Sequence, residues 1–112
     1  MIKSNQYKQI NDDMSTKVDE YNGITNTFKQ QKYYALHIHS YVEEVARKYI
    51  CKWKMSVPKR WVEDLKADCI ATMYESLPAY NSSRGVLFTY LYLRCKKAHV
   101  AFNLQMNRSV GN

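Results

Sequence analysis

Apolar residues recur at steps of three and four along three stretches of the chain, the spacing that places them on one face of a helix. The first stretch covers residues 32–54 and contains Ala35, Ile38, Tyr41, Val42, Val45, Tyr49 and Trp53. The second covers residues 58–77, with Val62, Leu65, Cys69, Met73 and Leu77. The third covers residues 86–104, with Leu87, Leu91, Cys95, Ala98 and Phe102. Each helix has one apolar face, so we predict an all-α fold, a compact bundle of three main helices.

Turn-forming residues separate these stretches and suggest the domain limits. Val57-Pro58 ends the first helix, with Val57 extended and Pro58 able to open the second helix. Residues 78–85 combine a proline with Asn, Ser and Gly and predict a loop. Residues 1–30 form either a polar arm or a short helix that Asn22-Gly23 ends, which would be a fourth helix of the bundle. We therefore expect one helical domain at residues 31–108 and a frayed tail at 109–112.

Charge is unevenly distributed along the chain. Seventeen Lys and Arg against ten Asp and Glu give a net charge of +7, which suits a polyanion such as nucleic acid, although an ordinary basic protein has the same balance. Residues 86–112 contain no Asp or Glu. On the second helix, Asp64, Asp68 and Glu75 fall within about 40° of one another, away from the apolar face. An acidic face and a basic helix fit two partners of opposite sign.

The third predicted helix also carries aromatic residues beside its cations. Cations next to rings suit single-stranded nucleic acid, because the cations bind phosphates while the rings stack on unpaired bases. The alternative is that the rings belong to the core, which applies most to Phe88 and Phe102. Tyr90 and Tyr92 lie away from the centre of the apolar face, so we expect at least one to be exposed.

Several other classes of protein have no support in the sequence. The cysteines Cys51, Cys69 and Cys95 lie in apolar patterns and are expected to be reduced core residues. His37 and His39 point to different sides of a helix, and no paired metal-ligand motif occurs, so we expect no metal and no cofactor. We find no nucleophile–base pair and no phosphate-binding glycine loop, so an enzyme is not expected. No membrane span or signal peptide is recognisable, which favours the cytoplasm.

The order of several short motifs resembles region 2 of the sigma-70 family of bacterial sigma factors. Residues 63–70, with the sequence EDLKADCI, are similar to the start of the family's second helix. Arg84-Gly85 and then Phe88-Thr89-Tyr90 are similar to its loop and the start of its basic, aromatic helix. Upstream, residues 41–49 (YVEEVARKY) resemble another family helix, so the likeness covers residues 33–108.

The resemblance implies a function in transcription initiation. In this family the second helix docks on the clamp helices of the largest RNA polymerase subunit, and the third binds the opened −10 element of the promoter. Asp64 and Asp68 match the family's docking positions, Glu63 and Tyr74 lie nearby, and Glu75 shares the acidic side of the helix, so we expect these five residues to bind the polymerase. For DNA binding, the residues that match family positions are Phe88, Tyr90, Lys96 and Lys97. We add the neighbouring ring and cations Arg84, Tyr92, Arg94 and Arg108.

The chain departs from the family pattern at recognisable positions. Ala67 stands where the family has a docking Gln, Cys69 where it has Gly, and Leu93-Arg94 where it has two Trp. The chain is thus most similar to the reduced late-transcription sigma factors of bacteriophages, acting in a bacterial or phage-infected cell. We recognise no region for the −35 element, so we expect either an accessory protein that supplies upstream promoter contacts or a simpler promoter that does not need them. The alternative is a small helical regulator that binds duplex DNA or inhibits the polymerase without melting promoters.

Overall fold

The computed structural model describes the backbone of residues 2–111 and the side chains of residues 8–83 and 85–107. The described chain is all-α, as the sequence predicted, and contains five α-helices rather than three or four. They are α1 (Ile2–Gly23), α2 (Thr27–His37), α3 (His39–Trp53), α4 (Val62–Ser76) and α5 (Leu87–Gly111). Short 3-10 turns at Lys54–Ser56 and Lys59–Trp61 join α3 to α4, and turns at Leu77–Ala79 and Ser82–Arg84 join α4 to α5.

The first predicted helix is in fact two helices. α2 begins at Thr27, five residues before the predicted start. Asn26 caps it by accepting a hydrogen bond from the Lys29 amide. The backbone then bends at Ile38, which lies between α2 and α3. Ala35, predicted to be buried, is exposed. Neither Gly nor Pro marks this bend, so the sequence pattern runs through it without interruption.

The other helix ends lie close to the predicted positions, except for the start of α4 and the end of α5. Val57 is extended as predicted, but Pro58 lies before the helix rather than in its first turn, because a 3-10 turn intervenes. α4 ends at Ser76, one residue before the predicted end. The backbone of α5 continues to Gly111, through the segment predicted to fray. The side chains of that last segment lie outside the described residues.

The N-terminal segment forms a helix that belongs to the core. Met14, Val18 and Tyr21 of α1 are buried with residues of all the other α-helices. The hydroxyl of Tyr41 on α3 donates a 2.6 Å hydrogen bond to the Asn11 side chain. Of the two alternatives for residues 1–30, the structure therefore has the helix.

The core lies where α3, α4 and α5 meet. Leu65, Met73 and Leu91 are fully buried there, as are Cys69 and Cys95. Hydrogen bonding with Cys95 and burial both raise the pKa of the Cys69 thiol. Cys51 is exposed, so the prediction that all three cysteines belong to the core was wrong for this residue. Within the described part of the chain, no helix combines the length and apolar character needed to cross a membrane.

Candidate functional site

The acidic residues of α4 lie on the side of the helix that faces away from the core. Asp64, Asp68 and Glu75 are all exposed, whereas Leu65 and Cys69 on the opposite side are fully buried. The first and last of these residues are eleven positions apart, or about 17 Å along the helix axis. We call these three residues the acidic face. No side chain that the structure describes forms an ion pair with Asp64 or Asp68, so both carboxylates are available to a cationic partner.

The other two residues implied in polymerase binding lie on a different side of α4. Glu63 is exposed but sits about 100° around the helix from Asp64. Tyr74 is half-buried, and its ring packs against the edge of Tyr34 with the centroids 4.7 Å apart. Burial, aided by the neighbouring Tyr74 hydroxyl, raises the pKa of Tyr34. Tyr74 therefore packs against α2 rather than joining the acidic face.

The predicted DNA-binding residues divide between two sides of α5. Phe88 and Tyr90 are 200° apart on a helix because each residue advances about 100°. Tyr90, Arg94 and Lys97 point towards α4, where the Tyr90 hydroxyl donates a 2.6 Å hydrogen bond to the Ser76 carbonyl. Phe88 and Tyr92 point towards α3. The single platform of rings and cations expected from the sequence is therefore two separate flanks, with buried Leu91 between them.

Tyr90 and Tyr92 are both half-buried, so the expectation that at least one of them is exposed was wrong. Tyr80 and Arg94 restrict the Tyr90 ring. Its ring centroid lies 5.2 Å from that of Tyr80, and the Arg94 guanidinium lies 5.1 Å from the Tyr90 centroid. Tyr80 is itself fixed by hydrogen bonds of 3.0 Å with Ser15 and with the Gly85 carbonyl. The position of the Tyr90 ring is thus set by α1, α4 and the loop before α5.

A cavity of about 280 Å³ opens beside Tyr90. Tyr80, Asn81, Val86 and Leu93 line it together with Tyr90, so rings and aliphatic groups form most of its wall. Its volume is just below the roughly 300–1,000 Å³ typical of small-ligand sites. A flat apolar group that carries polar edges, such as an unpaired base, has the chemistry that this cavity fits.

The acidic face and the α4-facing flank of α5 meet at one edge. Glu75 lines a shallow pocket together with Arg94 and Lys97, although no pair of these charges comes within ion-pair distance. Glu75 therefore serves partly to balance the two cations. Asp64 and Asp68 lie further towards the start of α4, where no described cation comes within ion-pair distance of either carboxylate.

The α3-facing flank of α5 contacts residues that the sequence analysis did not select. Phe88 and Tyr92 stack with their centroids 5.7 Å apart, and Tyr92 meets the edge of Tyr49 at 5.1 Å. The Trp53 indole, assigned to the core from its spacing, is 42% exposed and donates a 3.3 Å hydrogen bond to the Tyr92 hydroxyl. Residues 48–53 place a lysine directly before an aromatic residue twice, and this pattern could have identified this part of α3 from the sequence.

The remaining candidate residues are three cations and two histidines. Lys96 is exposed on α5, while the side chains of Arg84 and Arg108 lie outside the described residues. His37 packs on the Tyr33 ring at 4.6 Å, and His39 bonds to the Tyr34 hydroxyl at 3.0 Å. Among the described side chains, no three metal-binding groups come together.

Comparisons with known proteins leave the family open. No protein-family model, no curated protein and no solved structure matches the chain.

Proposed function

We propose that the chain is a sigma-like transcription initiation factor. It docks on the clamp helices of RNA polymerase through Asp64 and Asp68, and it binds an opened, AT-rich −10-like promoter element through α5. An accessory protein supplies the upstream promoter contacts. The proposal rests on the ordered motifs that resemble sigma region 2 and on the exposure of residues from two of those motifs.

The observation that carries the proposal is the exposure of Asp64 and Asp68 opposite the core. Both are acidic residues that the resemblance assigns to docking, and the fold leaves both without a described ion-pair partner. Glu63 and Asp64 also lie in the first turn of α4, where acidic residues stabilise a helix by interacting with its dipole. That structural role explains an acid at position 64 but not one at position 68, which lies beyond the first turn.

Tyr90 and the adjoining cavity suit the capture of an unpaired base. Unstacking a base costs a few kcal/mol per step, and stacking on an aromatic ring offsets about 1–3 kcal/mol of it. In the free protein the Arg94 guanidinium lies over the Tyr90 ring. Base capture therefore requires Arg94 to move off the ring, and a nearby DNA phosphate would attract it. Lys97, on the same flank, contacts the same strand.

Charge reversal on α4 tests the docking step. The double variant Asp64→Lys, Asp68→Lys should fold normally, because both side chains are exposed, but should lose co-elution with core polymerase from the host. The matched control is Asp12→Lys, Asp13→Lys, which makes the same charge change on the exposed surface of α1 and should leave co-elution intact. Circular dichroism and thermal unfolding verify the fold of all three proteins. Equal co-elution of both double variants would sink the docking hypothesis.

Transcription from an AT-rich promoter separates the proposal from its alternative. A polymerase-binding inhibitor co-elutes and yields no specific transcript, while a duplex-binding regulator retards duplex DNA without the polymerase. A helix-turn-helix is disfavoured because ten residues, 77–86, separate α4 from α5, against about three or four in that motif. Tyr90→Leu should retain co-elution and lose open-complex formation, measured by permanganate reactivity of the promoter thymines, whereas Tyr90→Phe keeps the ring and most of the activity.

A further inference from the structure

Four aromatic rings from two helices follow one another where α3 packs against α5. Phe88 stacks on Tyr92, Tyr92 meets Tyr49, and Tyr49 lies 6.2 Å from Trp53. Tyr49 is buried beneath the others. Phe88 and Tyr92 are half-buried, and Trp53 is one of the exposed large apolar residues. The three outer rings therefore present partly accessible surface to a ligand.

Lysines flank these rings at both ends. The Lys48 ammonium lies 5.7 Å from the Phe88 centroid, and the Lys52 ammonium lies 5.6 Å from the Trp53 ring. Lys96 is exposed on α5 one turn after Tyr92. We call Lys48, Lys52, Trp53, Phe88, Tyr92 and Lys96 the aromatic–basic strip.

The strip lies in two segments that lack acidic residues. Residues 45–62 hold six cations and residues 76–112 hold five, and neither segment contains Asp or Glu. The acid nearest in sequence on α3 is Glu44, which pairs with Arg47 on the surface of the helix and also interacts electrostatically with Lys48 at one end of the strip. The electrostatic potential along the strip is therefore positive, which attracts an anionic chain. The accessible rings beside these cations favour a nucleic acid with unpaired bases over other anionic partners.

We propose that the aromatic–basic strip binds single-stranded nucleic acid. Trp53, Phe88 and Tyr92 stack on unpaired bases, while Lys48, Lys52 and Lys96 contact the phosphates between them. A duplex is a poor ligand, because its bases are already stacked and present no free faces. The strip shares Phe88, Tyr92 and Lys96 with the proposed function and to that extent rests on it. It adds three residues of α3 and requires no polymerase.

The direct test is equilibrium binding of the whole chain to fluorescein-labelled oligo-dT of twelve nucleotides, without polymerase. Fluorescence anisotropy should show a clear preference for this oligonucleotide over a duplex of the same length. Trp53→Leu should weaken binding about 5- to 150-fold, the range that loss of one stacked base implies. Trp53→Phe keeps a ring and should retain most of the affinity.

The lysines are tested by their effect on salt dependence. Lys48→Gln, Lys52→Gln should lower the slope of log affinity against log salt by about 1.4, since each phosphate contact to a single strand contributes about 0.7. The matched control is Lys29→Gln, Lys32→Gln, which removes two exposed lysines from α2 and should leave the slope nearly unchanged. Thermal unfolding of each variant shows whether the fold is intact.

Intrinsic fluorescence provides an independent signal, because Trp53 and Trp61 are the two tryptophans of the chain. Oligo-dT should quench the wild type and leave Trp53→Phe unquenched although it still binds. Equal affinity of the wild type and Trp53→Leu, equal salt slopes, or a preference for duplex would each overturn the proposal. A chain that binds oligo-dT through the strip but does not co-elute with polymerase would retain this inference and refute clamp docking.

Discussion

Tyr49 and His99 form a buried hydrogen-bonded pair beneath the rings of the aromatic–basic strip. The Tyr49 hydroxyl lies 2.8 Å from His99 Nδ1, and the two rings meet edge to face at 5.7 Å. His99 is only 8% exposed, and its Nε2 has no hydrogen-bond partner among the described atoms. Burial lowers the pKa of His99 from its ordinary value of 6.5, because the surroundings cannot solvate the imidazolium. A buried neutral histidine makes stability depend on pH.

The sign of that dependence follows from proton binding. The unfolded chain binds a proton at His99 below pH 6.5, whereas the folded chain does so only at a lower pH. Stability is therefore fully present above pH 6.5 and is lost as the pH falls through the interval between the two pKa values, with a slope of at most about 1.4 kcal/mol per pH unit. Urea unfolding between pH 7.5 and about 5 measures this slope.

His99→Asn identifies the residue responsible. The shorter amide keeps a polar atom near the position of Nδ1, so Tyr49 retains a hydrogen-bond partner, but the titratable ring is gone. We expect this variant to be less stable at neutral pH and to lose less stability on acidification than the wild type. His37→Asn removes an exposed histidine, and this variant should lose as much stability as the wild type when the pH is lowered. An unchanged slope in His99→Asn would show that other groups carry the effect.

At the scale of helices, the sequence predicted which side of a helix is buried better than it predicted where a helix begins and ends. The exposure of Asp64 and Asp68 followed from the 100° advance per residue, and so did the burial of Leu65 and Leu91. The bend at Ile38 could not be predicted in this way. Tyr34, Ile38 and Val42 keep a four-residue spacing through it, and all three are buried. The direction of α2 is set by contacts of Tyr34 with Tyr21 and Tyr74, which are remote in sequence.

The two flanks of α5 illustrate the same limit for the candidate site. Helical spacing alone separates Phe88 and Tyr92 from Tyr90 and Arg94. Helical spacing does not show which helix each flank faces, because that depends on how α3 and α4 pack around α5. Trp53 was assigned to the core for this reason, since its position in the apolar pattern does not show that the core ends before it.

The Asn26 side chain caps the start of α2. Asn26 has an extended backbone, and its side chain accepts a 2.9 Å hydrogen bond from the Lys29 amide. Asn26→Ala removes that acceptor and should lower the free energy of unfolding by about 0.5–2 kcal/mol, measured by urea unfolding. The control is Asn103→Ala on the exposed surface of α5, which should be neutral or slightly stabilising because Ala favours a helix. Equal losses in both variants would show that the cap is not the source.

For the whole molecule, α1 supports the loop that forms the Tyr90 cavity. The Asn22 amide donates a 2.9 Å hydrogen bond to the Leu77 carbonyl, and the Ser82 hydroxyl donates to Asp19 at 2.7 Å. Ser15 meets the Tyr80 hydroxyl in the same region. These contacts join the first helix of the chain to residues 77–86 across more than fifty positions of sequence. The loop is therefore ordered by α1 as much as by the helices on either side of it.

Loss of one of these contacts should loosen the loop while the rest of the fold remains. Asn22→Ala removes one of two donors to the partly buried Leu77 carbonyl, which keeps its bond from the Tyr80 amide, so the loss is about 0.5–1.5 kcal/mol. We expect faster hydrogen exchange at residues 79–86, measured by mass spectrometry, and unchanged exchange in the middle of α4. Thr16→Ala, whose hydroxyl bonds only within α1, is the matched control and should exchange like the wild type. Uniformly faster exchange in Asn22→Ala would instead mean that α1 stabilises the whole core, and that the cavity beside Tyr90 has no separate support.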